Sequence, residues 1–120
     1  MAEKILIGRT RRYACSGVWA AILVMLSVLN VGWLDPVRDQ VEQANRKYLM
    51  GDHDGALKDY TQAQTERPEE PALHFNIGNV QVRKENLQEA AREYQQAATS
   101  TLDRVLESQS LYNLGNVLAM

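Results

Sequence analysis

Two stretches of this chain are near copies of one another, and the distance between the copies constrains the fold more than any other feature. When the sequence is displaced by 34 residues, Asn45 falls on Asn79, Ala56 on Ala90, Tyr60 on Tyr94, Gln62 on Gln96 and Ala63 on Ala97. Lys58 also meets Arg92, Asp59 meets Glu93 and Ala44 meets Gly78. Displaced by 37 residues, Phe75-Asn76-Ile77-Gly78-Asn79-Val80 falls on Tyr112-Asn113-Leu114-Gly115-Asn116-Val117, and four of the six residues are identical. A recurrence of this length marks a supersecondary unit that cannot bury its apolar face alone and must stack on its neighbours. The chain therefore holds two full units and the first half of a third.

Each unit reads as two helices. Asp35 can cap the first helix and Pro36 suits its first turn, and the helix is expected to run to about Met50. Gly51-Asp52-His53-Asp54 is turn chemistry, and a second helix is expected from about Gly55 to Glu66. Pro68 and Pro71 punctuate the link to the next pair. That pair is expected over about Ala72–Lys84 and Leu87–Ser100, turning at Glu85-Asn86, and Asp103 opens a last helix. Ala44, Gly78 and Gly115 on first helices, with Ala56 and Ala90 on second helices, let neighbours approach closely. Tyr60 and Tyr94 then fill the space between one pair and the next.

The start of the chain is of another kind. From Ala14 to Leu34 there are 21 residues without a charge, nine of them Leu, Ile or Val. As a helix this run spans about 30 Å, the hydrocarbon thickness of a bilayer, and its aliphatic residues favour insertion by roughly 3–5 kcal/mol. Trp33 lies at its far end, where an indole suits the headgroup boundary. A cleaved signal peptide would need a small-x-small site, which Leu29-Asn30-Val31-Gly32-Trp33-Leu34 does not offer, so an uncleaved anchor over residues 13–34 is expected. Lys4, Arg9, Arg11 and Arg12 precede it and predict an N-terminus (residues 1–12) that stays in the cytosol. Residues 35–120 would then lie across the membrane, in a bacterium the periplasm. The single cysteine, Cys15, precludes an intramolecular disulfide and reads as a small apolar helix residue.

The motif Ala56-x3-Tyr60-x2-Ala63-x4-Pro68 resembles the second helix and closing proline of the tetratricopeptide repeat (TPR). Ile77-Gly78 with Ala90, Tyr94 and Ala97 resembles a second such repeat, and Leu114-Gly115 opens a third. The resemblance implies an all-α chain, an N-terminal transmembrane helix followed by a TPR α-solenoid of about two and a half repeats (about 37–70, 71–104 and a partial third, 105–120). Gln43-Ala44, Lys47, Glu85 and Leu102 depart from the family pattern. An N-terminal anchor followed by Asn-Ile/Leu-Gly-Asn is similar to the TPR proteins of bacterial aerotolerance (Bat) operons. That resemblance implies assembly at the inner membrane with von Willebrand factor A-domain partners.

The family's first helices line a concave groove for extended peptides or partner helices. By resemblance the groove residues are Val41, Asn45 and Tyr48, then Phe75, Asn79, Val82 and Arg83, then Tyr112 and Asn116. In the ladder Asn45, Asn79, Asn116, each side-chain amide can both donate to and accept from a bound backbone. Only Arg83 is placed to meet a terminal carboxylate. No catalytic role and no cofactor is expected. His53 and His74 lack ligand spacing and read as turn or surface residues, and no Gly-rich phosphate loop occurs. A net charge of −2 does not suit nucleic acid. Because the chain stops at Met120, inside the first helix of a third pair, Leu114, Val117 and Leu118 are expected to lack cover unless another surface, such as a second copy, supplies it.

Overall fold

Asp35-Pro36, Asp52, Pro68, Pro71, Asn86 and Asp103 divide the chain into segments of helical length, and helices are what form. In a computed structural model that describes residues 35–120, five helices follow in order: α1 Pro36–Leu49, α2 His53–Glu66, α3 Pro71–Arg83, α4 Leu87–Ser100 and α5 Arg104–Leu118. Among the described residues there is no strand, and none of these helices is long and apolar enough to cross a membrane. The expected anchor, the basic N-terminus and Cys15 fall outside the described residues.

Helix starts follow from local chemistry. Asp52 caps α2 by accepting from the Gly55 amide at 2.9 Å, so His53 and Asp54 join the helix instead of forming the expected turn. Asp103 caps α5 in the same way, through the Val105 amide at 2.8 Å. Pro71 takes the first position of α3, where a missing N–H costs nothing.

The two inner turns share one geometry despite different residues. Gly51 (φ 84°) and Glu85 (φ 61°) both adopt the left-handed conformation. In each, the next amide reaches back five residues, Asp52 to the Lys47 carbonyl and Asn86 to the Gln81 carbonyl, both at 2.9 Å. The amides of Gly51 and Glu85 close the inner ring on the Tyr48 and Val82 carbonyls at 3.1 and 3.0 Å. This doubly bonded stop consumes the last carbonyls of α1 and α3 and folds α2 and α4 back as antiparallel neighbours.

Each helix packs on the next in the chain, and α3 also meets α5. One core cluster joins α1, α2 and α3 through Val37, Ala44, Ala56, Tyr60, Ala63, Leu73, Ile77 and Val80. A second joins α4 and α5 through Ala90, Tyr94 and Val117, with Phe75, Val82, Leu87, Ala91 and Leu114 against it. Tyr60 and Tyr94 thus bridge successive pairs, as their size and spacing suggest. Val117 is buried at 6% exposure, contrary to expectation, because α4 already covers that side of α5.

His74 is also a correction, because it is buried and not a surface residue. Its Nε2 sits 2.9 Å from the Pro68 carbonyl, so that nitrogen carries a hydrogen and donates. Its Nδ1 lies 2.7 Å from Glu93 Oε2 and 3.0 Å from Gln64 Nε2. One ring ties the α2–α3 link to α2 and α4, which its lone position in the sequence did not show.

Candidate functional site

The repeat places one asparagine and one tyrosine in each helical pair so that they meet. The Tyr60 hydroxyl donates to Asn45 Oδ1, and the Tyr94 hydroxyl donates to Asn79 Oδ1 at 2.7 Å, each across the same 15-residue separation. Burial of the rings pushes both phenols up to about 12, and the Tyr48 hydroxyl nearby acts in the same direction. For Tyr94 a hydrogen bond involving Asn113 partly opposes this. Both tyrosines therefore stay neutral and keep donating at any ordinary pH.

The asparagine ladder is accordingly part of the framework before it is anything else. Asn79 Oδ1 also accepts from Asn113 Nδ2 at 3.4 Å. Its carbonyl is committed to Tyr94 and Asn113, which leaves its NH2 group to donate outward. Asn116, on α5, is exposed.

A recess of about 240 Å³ opens where α1, α3 and α5 come together. Tyr48, Asn79, Val82, Arg83 and Asn116 line it, five of the nine residues assigned to a groove by sequence. Asn113, Val117, Met120 and the edge of Tyr94 complete it. Arg83 Nε donates to the Tyr48 hydroxyl at 3.4 Å, joining α3 to α1 across the mouth. That bond favours the charged guanidinium, so the recess carries one cation among neutral amides.

The other four sequence candidates lie elsewhere. Val41 packs half-buried on the first core cluster, and Asn45 is exposed with its carbonyl bonded to Tyr60. Phe75 turns inward and meets the Tyr94 ring at 5.8 Å between centroids, tilted by 56°. Tyr112 is 71% exposed and does not line the recess. Asn113 is the residue that sequence reasoning passed over. Its signal was present, since it matches Asn76 in the 37-residue displacement.

Two ion pairs tie α2 to its neighbours. Lys47 Nζ meets Asp59 Oδ2 at 2.6 Å, and Lys84 bonds Asp54, holding the Asp54 carboxyl below its usual range. Among the described residues no group of three or more His, Cys, Asp or Glu side chains is arranged to hold a metal ion. No protein-family model matches the chain, and no curated protein matches it either.

Proposed function

We propose that this chain is a membrane-anchored TPR scaffold that binds a partner polypeptide in the recess between α1, α3 and α5. The observation that carries the reading is the convergence there of Tyr48 from α1, Asn79, Val82 and Arg83 from α3, and Asn116 from α5. Neutral amides from Asn79, Asn113 and Asn116 suit the alternating donors and acceptors of an extended backbone. Val82, Val117 and Met120 offer apolar contact to its side chains. No step in this function requires bond chemistry, and neither a cofactor nor nucleic acid enters it.

The remaining parts of the reading rest on the sequence. They are the uncleaved anchor over residues 14–34, an N-terminus in the bacterial cytosol, repeats in the periplasm, and a von Willebrand factor A-domain partner. A photo-crosslinking residue at position 83 in the membrane-bound chain tests the recess. Crosslinks to one polypeptide should form at position 83 and be absent at position 61, which is exposed on α2 away from the recess. Equal capture at both positions would remove the basis for the proposal.

A further inference from the structure

Three side chains from three helices hold one another at the back of the recess. The Tyr94 hydroxyl, on α4, donates to Asn79 Oδ1 on α3 at 2.7 Å, and Asn113 Nδ2 on α5 donates to the same oxygen at 3.4 Å. A hydrogen bond with Asn113 also favours the ionised form of the Tyr94 phenol, so there too the Asn113 NH2 group is the donor. Neither amide can turn over. A reversed Asn79 would set its NH2 group against that of Asn113, donor against donor. A reversed Asn113 would set carbonyl against carbonyl.

What each amide shows to the recess is therefore fixed. Asn79 shows a donor, its NH2 group, and Asn113 shows an acceptor, its carbonyl. Both are half-buried and both line the recess. A donor and an acceptor side by side are what one residue of a strand presents to the residue opposite it in an antiparallel ladder, where the two exchange both main-chain bonds. The arrangement occurs once among the described residues. Asn45 also gives its carbonyl to a tyrosine, Tyr60, but Asn76, the counterpart of Asn113 in the 37-residue displacement, makes no such bond to it.

We propose that Asn79 and Asn113 act as one composite site that binds a single residue of an extended partner segment through its main chain. Asn79 Nδ2 donates to that residue's carbonyl, and Asn113 Oδ1 accepts its N–H. The assignment rests on the recess being the partner site. It adds two requirements. The bound residue must carry an N–H, which excludes proline. Along a chain the N–H of a residue precedes its carbonyl, so the segment runs from α5 towards α3. Its C-terminal part then passes Arg83 and Tyr48, which bond across the mouth between α3 and α1.

An array of short peptides of varied sequence, probed with the full chain in mild detergent, supplies ligands, and those that block crosslinking from position 83 are kept. Each is remade with one backbone N-methyl group, placed at every position in turn. On the native chain, one position should weaken binding about tenfold, because the Asn113 carbonyl is left bare. The positions on either side, whose N–H points away, should tolerate the methyl group. Asn113→Ala, with helix content checked by circular dichroism, should weaken the unmodified peptide by a similar factor and leave the sensitive N-methyl peptide unchanged. A photoreactive group on the peptide's C-terminus should label α1 or α3, and one on its N-terminus should label α5. Tolerance of N-methylation at every position, or equal losses from Asn113→Ala for both peptide forms, would overturn the composite site and leave the recess reading standing. Labels in the reverse order would overturn the roles given to the two amides. If no peptide blocks the crosslink, the recess reading fails and this assignment fails with it. The N-methyl series uses the native chain, so it decides the matter even where Asn113→Ala does not fold.

Discussion

Replacing Gly78 with alanine should destabilise the chain, whereas the same change at Gly115 should stabilise it, although both glycines stand in matching stretches. A Cβ at position 78 would lie 2.7 and 2.8 Å from Tyr94 Cε1 and Cδ1, and 3.2 Å from Cζ. Carbon atoms rest at about 3.5–4.0 Å, so the ring must retreat by roughly 1 Å. It has little room to do so, being 2% exposed, bonded to Asn79 at 2.7 Å and packed on Phe75. Overpacking of this kind costs about 1–3 kcal/mol, and weakening the hydroxyl bond adds up to about 1 kcal/mol. Removing a glycine from a helix interior returns about 1 kcal/mol. The net loss for Gly78→Ala is therefore about 0–3 kcal/mol, with its middle near 1.5 kcal/mol. At Gly115 no atom lies within 4 Å of the new Cβ, and only the gain of about 1 kcal/mol remains. For a folded unit of this size each kcal/mol moves Tm by about 4–8 °C. Thermal melting followed by far-ultraviolet circular dichroism should separate the two variants by about 10–20 °C at the middle of that range, in opposite directions from the native chain. If Gly78→Ala melts at or above the native temperature, the close seating of Tyr94 is wrong. Ala44 in the first pair is itself buried in one core cluster with Tyr60.

Three other outcomes follow from the geometry. Glu85→Gly should raise stability by about 1 kcal/mol in urea unfolding, because Glu85 holds a φ of 61° that glycine adopts without strain, and Gly51→Ala should lower it by a similar amount. Tyr60 and Tyr94, with phenols pushed up from 10 to about 12 in the fold, favour the folded state while neutral. Their contribution is whole below pH 10 and is lost as pH rises through 12, so unfolding free energy should be flat near neutrality and fall by up to about 2–3 kcal/mol per tyrosine across that window, with Tyr94→Phe removing about half of the fall. His74→Leu should cost about 2–4 kcal/mol, because it strands the partly buried Glu93 carboxylate and the Pro68 carbonyl, and adding Glu93→Ala should recover a large part of that in the same urea titration.

The sequence carried the helices well because their signals are local. Caps and prolines set the starts of α2, α3 and α5 to within about two residues, and α4 begins and ends where its pattern does. The turn at Glu85 was legible only through its repeat partner. Glutamate does not advertise a left-handed conformation, but the 34-residue displacement places it on Gly51, and the same doubly bonded stop forms. His74 was not legible. Its three partners come from α2, the following link and α4, and no local pattern encodes that meeting. Phe75 was misplaced by the sequence for a related reason. Its position on a first helix is shared with exposed Tyr112, and only the presence of Tyr94 beside it turns it inward.

That last contrast separates what a repeated motif specifies from what it leaves to its neighbour. Phe75, Gly78 and Asn79 match Tyr112, Gly115 and Asn116 in type and spacing, so helix propensity and facing are the same for both sets. Their exposure differs because burial belongs to the pair of helices, and among the described residues it is α3 that has a following helix, α4, packed over this face. The asparagine shows the functional consequence. With a tyrosine from the following helix on its carbonyl, Asn79 is a framework residue with a donor to spare. Asn116 makes no such bond to a tyrosine of the described residues, so both halves of its amide are offered outward.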